Sequence, residues 1–158
     1  MASWQSTWDN AELTIFGFFQ TLLGGTYEVD AFIGELPKDF EYASVDGVWM
    51  VGMEGGGTPL DFDQNINTPG GWVEKELGVR FDGIWNTRDQ AKRVAGQLMD
   101  ALPITENAIN GVRRLRPTEE PMIERGIVER AADQSLAGDM RVWRVACPML
   151  ALITRTEA

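Results

Sequence analysis

The segment Met140–Thr154 limits the fold more than any other part of the sequence. Trp143, Val145, Cys147, Met149, Ala151 and Ile153 are apolar at alternate positions, and Val142, Ala146, Leu150 and Leu152 are apolar between them. Successive side chains of a strand point to opposite faces, so a strand here is apolar on both. Such a strand is either central in a sheet or buried by another subunit. The chain must fold around it or assemble upon it.

The rest of the sequence supplies partners for that strand. Trp8, Ala11, Ile15, Phe18, Phe19 and Leu22 recur at spacings of three and four, which predicts an amphipathic helix over 6–23. Ser6 or Thr7 is the expected cap, Asp9 and Glu12 suit the positive end, and Gly24-Gly25 stops it. Tyr27–Ile33 and Val45–Met53 read as strands, the second with the consecutive apolar run Val48-Trp49-Met50-Val51 of a strand covered on both faces. In 72–85, Val73, Leu77, Val79, Phe81 and Trp85 share one face, interrupted by Lys75 and Gly83, while Glu74, Glu76, Arg80 and Asp82 fall on the other.

A second helix follows at once. Thr87 and Gln90 form a capping box, Ala91, Val94, Ala95, Leu98 and Met99 make the apolar stripe, Lys92 and Arg93 lie on the exposed side, and Pro103 ends it. Near 122–131, Ile127 and Val128 mark a strand, and Asp133–Asp139 with Gly138 can turn the chain into the closing strand. At 158 residues, with no repeat and no linker, the expectation is a single domain over 1–158. Its class is α+β: an antiparallel or mixed sheet packed by two main helices, with a long 54–71 loop.

Composition removes several classes of function. There is no His and one Cys, so an internal disulfide, the Ser/His and Cys/His dyads and the commonest metal ligand are excluded. Cys147, in an apolar run, reads as a core filler in a reducing cytosol. A net charge of −10 argues against direct nucleic-acid binding, because Lys and Arg supply most of that affinity. No run approaches the roughly 18 apolar residues of a membrane span and no signal peptide is evident, so a chain soluble where it is made is expected.

The net charge hides an asymmetry. Residues 1–74 hold twelve acidic side chains against Lys38 alone, net −11, whereas 75–158 hold twelve acidic and thirteen basic, net +1, with all eleven arginines. A solvated acidic face accounts for this. So does an acidic surface on one copy meeting a basic surface on another, head to tail, in a closing ring.

No motif assembles a catalytic site, and no catalytic residue, cofactor or metal is assigned. Gly55-Gly56-Gly57 lacks the Lys and the helix of a phosphate loop and reads as a hinge. Asp61-x-Asp63-x-Asn65 opens like a calcium loop, but Ile66 and Trp72 stand where the Gly and the bidentate Glu belong, so Asx turns are the better account. Glu119 and Glu120, between Pro117 and Pro121, read as solvated. The 54–71 loop itself, with five Gly and two Pro, exceeds ordinary loop lengths and points to binding. Arg113, Arg114 and Arg116 form the densest basic cluster, either solvated or suited to bidentate pairing with a neighbour's carboxylates. Of six Trp, Trp49, Trp72, Trp85 and Trp143 suit sheet packing, while Trp4, ahead of the first helix, either folds over Trp8 or docks on a partner.

The run Trp72–Trp85 leading into a Thr87–Leu102 helix, and the closing Ala137-Gly138-Asp139-Met140-Arg141-Val142-Trp143 turn and strand, resemble the tail terminator proteins of long-tailed bacteriophages, the family of the lambda minor tail protein U. The likeness extends over most of the chain as an architecture and contains no diagnostic motif. It implies a structural virion protein, not an enzyme, without a cofactor. Such proteins form a hexameric ring that caps the tail tube, stops its polymerisation and offers the head and connector a joining surface. The implied location is the head-proximal end of the tail, and the host cytoplasm during assembly. The partners would be other copies of the chain, the tail tube protein and the head-tail connector, with Trp4, Asp61, Asp63, Arg113, Arg114 and Arg116 as candidate contacts. Two other readings stand beside it: a neck or tail completion protein, and a small α+β enzyme or ligand-binding domain with a pocket lined by Phe81, Trp85 and Trp143.

Overall fold

The computed structural model describes residues 4–24, 29–37, 46–56, 74–104, 111–128 and 140–154. Their elements are helix α1 (Trp4–Leu23), strands β1 (Val29–Ile33), β2 (Gly47–Gly55) and β3 (Glu74–Trp85), helix α2 (Arg88–Ala101), and strands β4 (Val112–Pro117), β5 (Met122–Val128) and β6 (Met140–Thr154). The class is the expected α+β, with a six-stranded mixed sheet in the order β1-β2-β3-β6-β4 and β5 also paired to β6. Of the two placements open to the doubly apolar closing segment, the structure has the central one. β3 lies along one side of β6 over its full length, from Glu74 opposite Thr154 to Trp85 opposite Trp143.

The other side of β6 is shared by two strands placed end to end. β4 runs from Val112 opposite Ile153 to Pro117 opposite Met149, and β5 from Met122 opposite Ala146 to Val128 opposite Met140. Pro148 faces the break between them, and its carbonyl accepts hydrogen bonds from the backbone N–H and the hydroxyl of Thr118. A proline inside a sheet removes a ladder donor. The N–H and C=O of one strand residue point to the same side, so the donor missing from Pro148 would have faced this gap, where no strand residue waits for it.

Both helices pack on one face of the sheet. Ala11, Ile15, Phe19 and Leu23 of α1 and Ala91, Val94, Ala95 and Leu98 of α2 join one cluster with Trp49, Val51, Phe81, Trp85, Val145, Cys147, Met149 and Ile153. Aromatic rings fill its centre: Phe81 stacks on Trp49 at 5.6 Å and on Trp85 at 6.4 Å, and Phe19 closes over Phe81 at 5.2 Å. Gly83, which interrupts the apolar face in the sequence, has a structural reason. A Cβ at Gly83 or at Gly47 would overlap the Trp85 indole, so the two glycines open the slot that the ring occupies.

The helices differ in how closely they follow expectation. The capping box of α2 is present, with Gln90 N–H donating to the Thr87 hydroxyl at 3.2 Å and Thr87 N–H to Gln90 Oε1 at 3.2 Å. Met99, however, is 54% exposed and lies off the apolar stripe. Helix α1 starts at Trp4, so that residue is its first and does not precede it, and Ser6 and Thr7 lie within the helix and do not cap it. Asp9 and Glu12 lie past the first turn. Glu12 serves the sheet instead: its carboxylate accepts the Met53 N–H at 2.9 Å, beyond the end of the β1–β2 pairing at Val51. No helix among the described residues is long and apolar enough to cross a membrane.

Candidate functional site

The face of the sheet opposite the two helices carries the distinctive chemistry. It is built from the second set of alternating residues: Glu74, Glu76, Arg80 and Asp82 of β3, Arg144, Leu150 and Leu152 of β6, Glu124 of β5, and Arg114 and Arg116 of β4. Val48 and Val142, on the same face, are buried, while Leu150 and Leu152 are half-buried. This face is therefore mixed, with apolar strips between charged rows.

The arginine cluster occupies a strand that the sequence reading does not contain. Arg113 Nη1 donates to the Glu74 carboxylate, Arg114 Nη2 to Glu76 Oε2 at 3.1 Å and Arg116 Nη2 to Glu76 Oε1 at 3.4 Å. These pairs cross β6: Glu76 is opposite Leu152 on one side, and Arg114 is opposite Leu152 on the other. Two strand spacings are roughly 9–10 Å, a distance that only a long side chain closes. The arginine stems then lie across the leucines and the heads meet the carboxylate. The first carboxylates that these arginines meet belong to their own chain.

A second row lies toward the other end of β6. Arg144 grips Asp82 in a bidentate pair, with Nε donating to Oδ1 at 2.8 Å and Nη2 to Oδ2. Arg80 Nε approaches the same carboxylate at 3.8 Å, and Glu124 is the β5 neighbour of Arg144. The hydrogen bond to Asp82 holds the Arg144 guanidinium above its ordinary value; burial opposes this, and the charges of Asp82 and Glu124 add to it.

Two other groups bear on chemistry. Cys147 is fully buried, and burial, with a smaller contribution from the Glu120 charge, pushes its thiol up to about 11. A thiol so placed is protonated and enclosed, the opposite of what a nucleophile needs. Phe81 and Trp85, two of the three rings that a sheet-lined pocket requires, are 0% and 1% exposed and stack within the core. Trp143 is partly buried, with the Arg125 guanidinium 5.3 Å above its ring.

Arg113, Arg114 and Arg116 stand together on β4, while Trp4 begins α1. Asp61, Asp63 and Trp72 lie outside the described residues, as does 57–71 of the long loop; Glu54 and Gly55 belong to β2. The alternation of the sequence places Glu74, Glu76, Arg80 and Asp82 on one face, and their partners become visible only in the sheet. The alternation of β3 was the available signal, and the identity of the strand two places away was not. Comparison of the chain with protein-family models and with curated protein sequences finds no match.

Proposed function

We propose that this chain is a structural subunit of a long-tailed bacteriophage, a tail-terminator-like protein. In this reading, copies form a hexameric ring that caps the tail tube, stops its polymerisation and offers the surface on which head and connector join. It works by assembly, without a catalytic centre, cofactor or metal, at the head-proximal end of the tail after assembly in the host cytoplasm. The observation that carries the reading is the two-sided sheet. One face is closed by both helices around packed aromatic rings, and the other presents half-buried leucines between charged rows. A surface of this kind suits another protein surface, which buries the leucines and engages the charges. The order of elements also agrees with the resemblance: a helix, strands, a strand running straight into a second helix, then antiparallel strands.

The test is to image particles produced without this protein. Overlong or headless tails support the terminator reading, headless tails of normal length move the protein to a neighbouring neck role, and normal virions overturn both.

A further inference from the structure

We propose that the outer edge of β5 is a docking site for an extended strand of another polypeptide, which lies antiparallel to β5 and lengthens the sheet. β6 occupies one edge of β5, from Met122 opposite Ala146 to Val128 opposite Met140. Alternate residues of a strand turn their N–H and C=O to opposite sides, so half of the β5 backbone groups face away from β6. Among the described residues no backbone takes them up: β5 pairs with β6 alone, and the isolated bridge of the sheet belongs to Leu115 of β4. The other edges are guarded. β4 has a register shift between Val112 and Arg114, and Leu115 exchanges backbone hydrogen bonds with Ile104 at 2.8 and 2.9 Å. β1 is only five residues long, and beyond its pairing with β2 the Glu12 carboxylate takes the Met53 N–H. β5 runs for seven residues in unbroken register and contains no Pro, Lys or bulge, the devices that keep a foreign strand off an edge.

The side chains of β5 define the strand that fits. Glu124 and Arg125 are exposed and point to opposite faces, and Met122 is 48% exposed at one end. β6 displays their complements: Arg144 stands opposite Glu124, and Trp143 stands opposite Arg125, with the guanidinium 5.3 Å from the ring centre. Glu124 enters none of the ion pairs of the described residues, so its carboxylate is open to a further cation. The docking strand therefore carries a cation opposite Glu124 and, on the adjacent residue, an aromatic ring or a carboxylate opposite Arg125. A second β5 does not meet this requirement. Antiparallel pairing of all seven residues with a second copy sets Arg125 against Arg125. A shift one way sets Glu124 against Glu124, and a shift the other way sets Glu124 and Arg125 against Val128 and Ile127. Like charges directly opposite disfavour pairing, so the occupant is a different sequence.

The probe is the end-blocked peptide MRVWRVA, which repeats Met140–Ala146, labelled with a dye and titrated into the full chain by fluorescence anisotropy. Saturable one-to-one binding is expected. Methylating alternate backbone nitrogens of the peptide separates strand pairing from contact through side chains. One form is methylated at the positions of Arg141, Trp143 and Val145, the other at those of Val142, Arg144 and Ala146. One should bind like the parent and the other should not bind, because a strand turns every second N–H to its neighbour. Glu124→Lys, at an exposed position, should weaken binding about three- to tenfold. Absence of binding, equal behaviour of the two methylated forms, or affinity indifferent to Glu124→Lys overturns the proposal. So does self-association of the chain in sedimentation velocity that the peptide reverses, which gives the edge to a second copy. The peptide measurements use the wild-type chain, so they do not depend on the folding of a variant. Edge docking needs no phage context, and imaging of deletion particles tests the terminator reading separately, so each can fail without the other.

Discussion

The two faces of the sheet are held by different physics. On the helix side, Phe19, Trp49, Phe81 and Trp85 pack into a dry cluster whose stability comes from burying area and does not depend on charge. On the open side, the strands are tied by guanidinium–carboxylate pairs, Arg114 to Glu76 across Leu152 of the intervening β6, and Arg144 to Asp82 between the adjacent strands β6 and β3. The first face is specified by shape and the second by sign. The carboxylates of these pairs are nearly buried while their arginines are about 40% exposed, so solvent screens the pairs and each contributes less to stability than a packed ring of the other face.

The sharpest way to break that comparison is to empty the dry side. Phe81→Ala removes a fully buried ring that touches three others, and should cost about 3–5 kcal/mol in denaturant unfolding. Alkaline pH tests the same side by titration. The Cys147 thiol ionises at about 11 in the fold against an ordinary value near 9, so its contribution is complete below about pH 9 and is lost as pH rises through 11. The loss should reach about 2–3 kcal/mol and should be missing from the alkaline slope of Cys147→Ala. On the open side, Glu76→Ala strips Arg114 and Arg116 of their carboxylate. It should cost about 1–2 kcal/mol by thermal or denaturant melting, with Glu76→Gln losing less because it keeps an acceptor. Arg80→Ala should be smallest, within about 0.5 kcal/mol, since Arg80 is half exposed and 3.8 Å from Asp82. A loss at Arg80 as large as at Phe81 would end the distinction between the faces.

The parts of the fold that were legible in the sequence are those whose signals are local. The capping box at Thr87 and Gln90 fixed the start of α2, and the alternation from Leu77 to Trp85 fixed both faces of β3. Strand β4 was not legible for two reasons. Its six residues hold only two large apolar side chains, Val112 and Leu115, among three arginines, and a register shift between Val112 and Arg114 breaks the alternation. Its identity as a strand comes from β6, which begins more than twenty residues later. Ser6 and Thr7 have the chemistry of caps and so predict a later start for α1, whereas the helix extends beyond them to Trp4. The arginine cluster of the candidate surface is legible in composition, but its geometry is not. The partners of Arg113 and Arg114 lie 39 and 38 residues away in sequence, and no local pattern encodes that distance.

The end-to-end placement of β4 and β5 along β6 also governs the order in which the chain can become a protein. β3, β4 and β5 each have β6 as a neighbour, and neither β4 nor β5 pairs with β3. On a translating ribosome β1, β2 and β3 can pair with one another as they emerge, but the second edge of β3, and both β4 and β5, have no partner strand until Met140–Thr154 follows. Completion of the sheet is then a late event, in which three strands find one partner at once through contacts of long sequence separation.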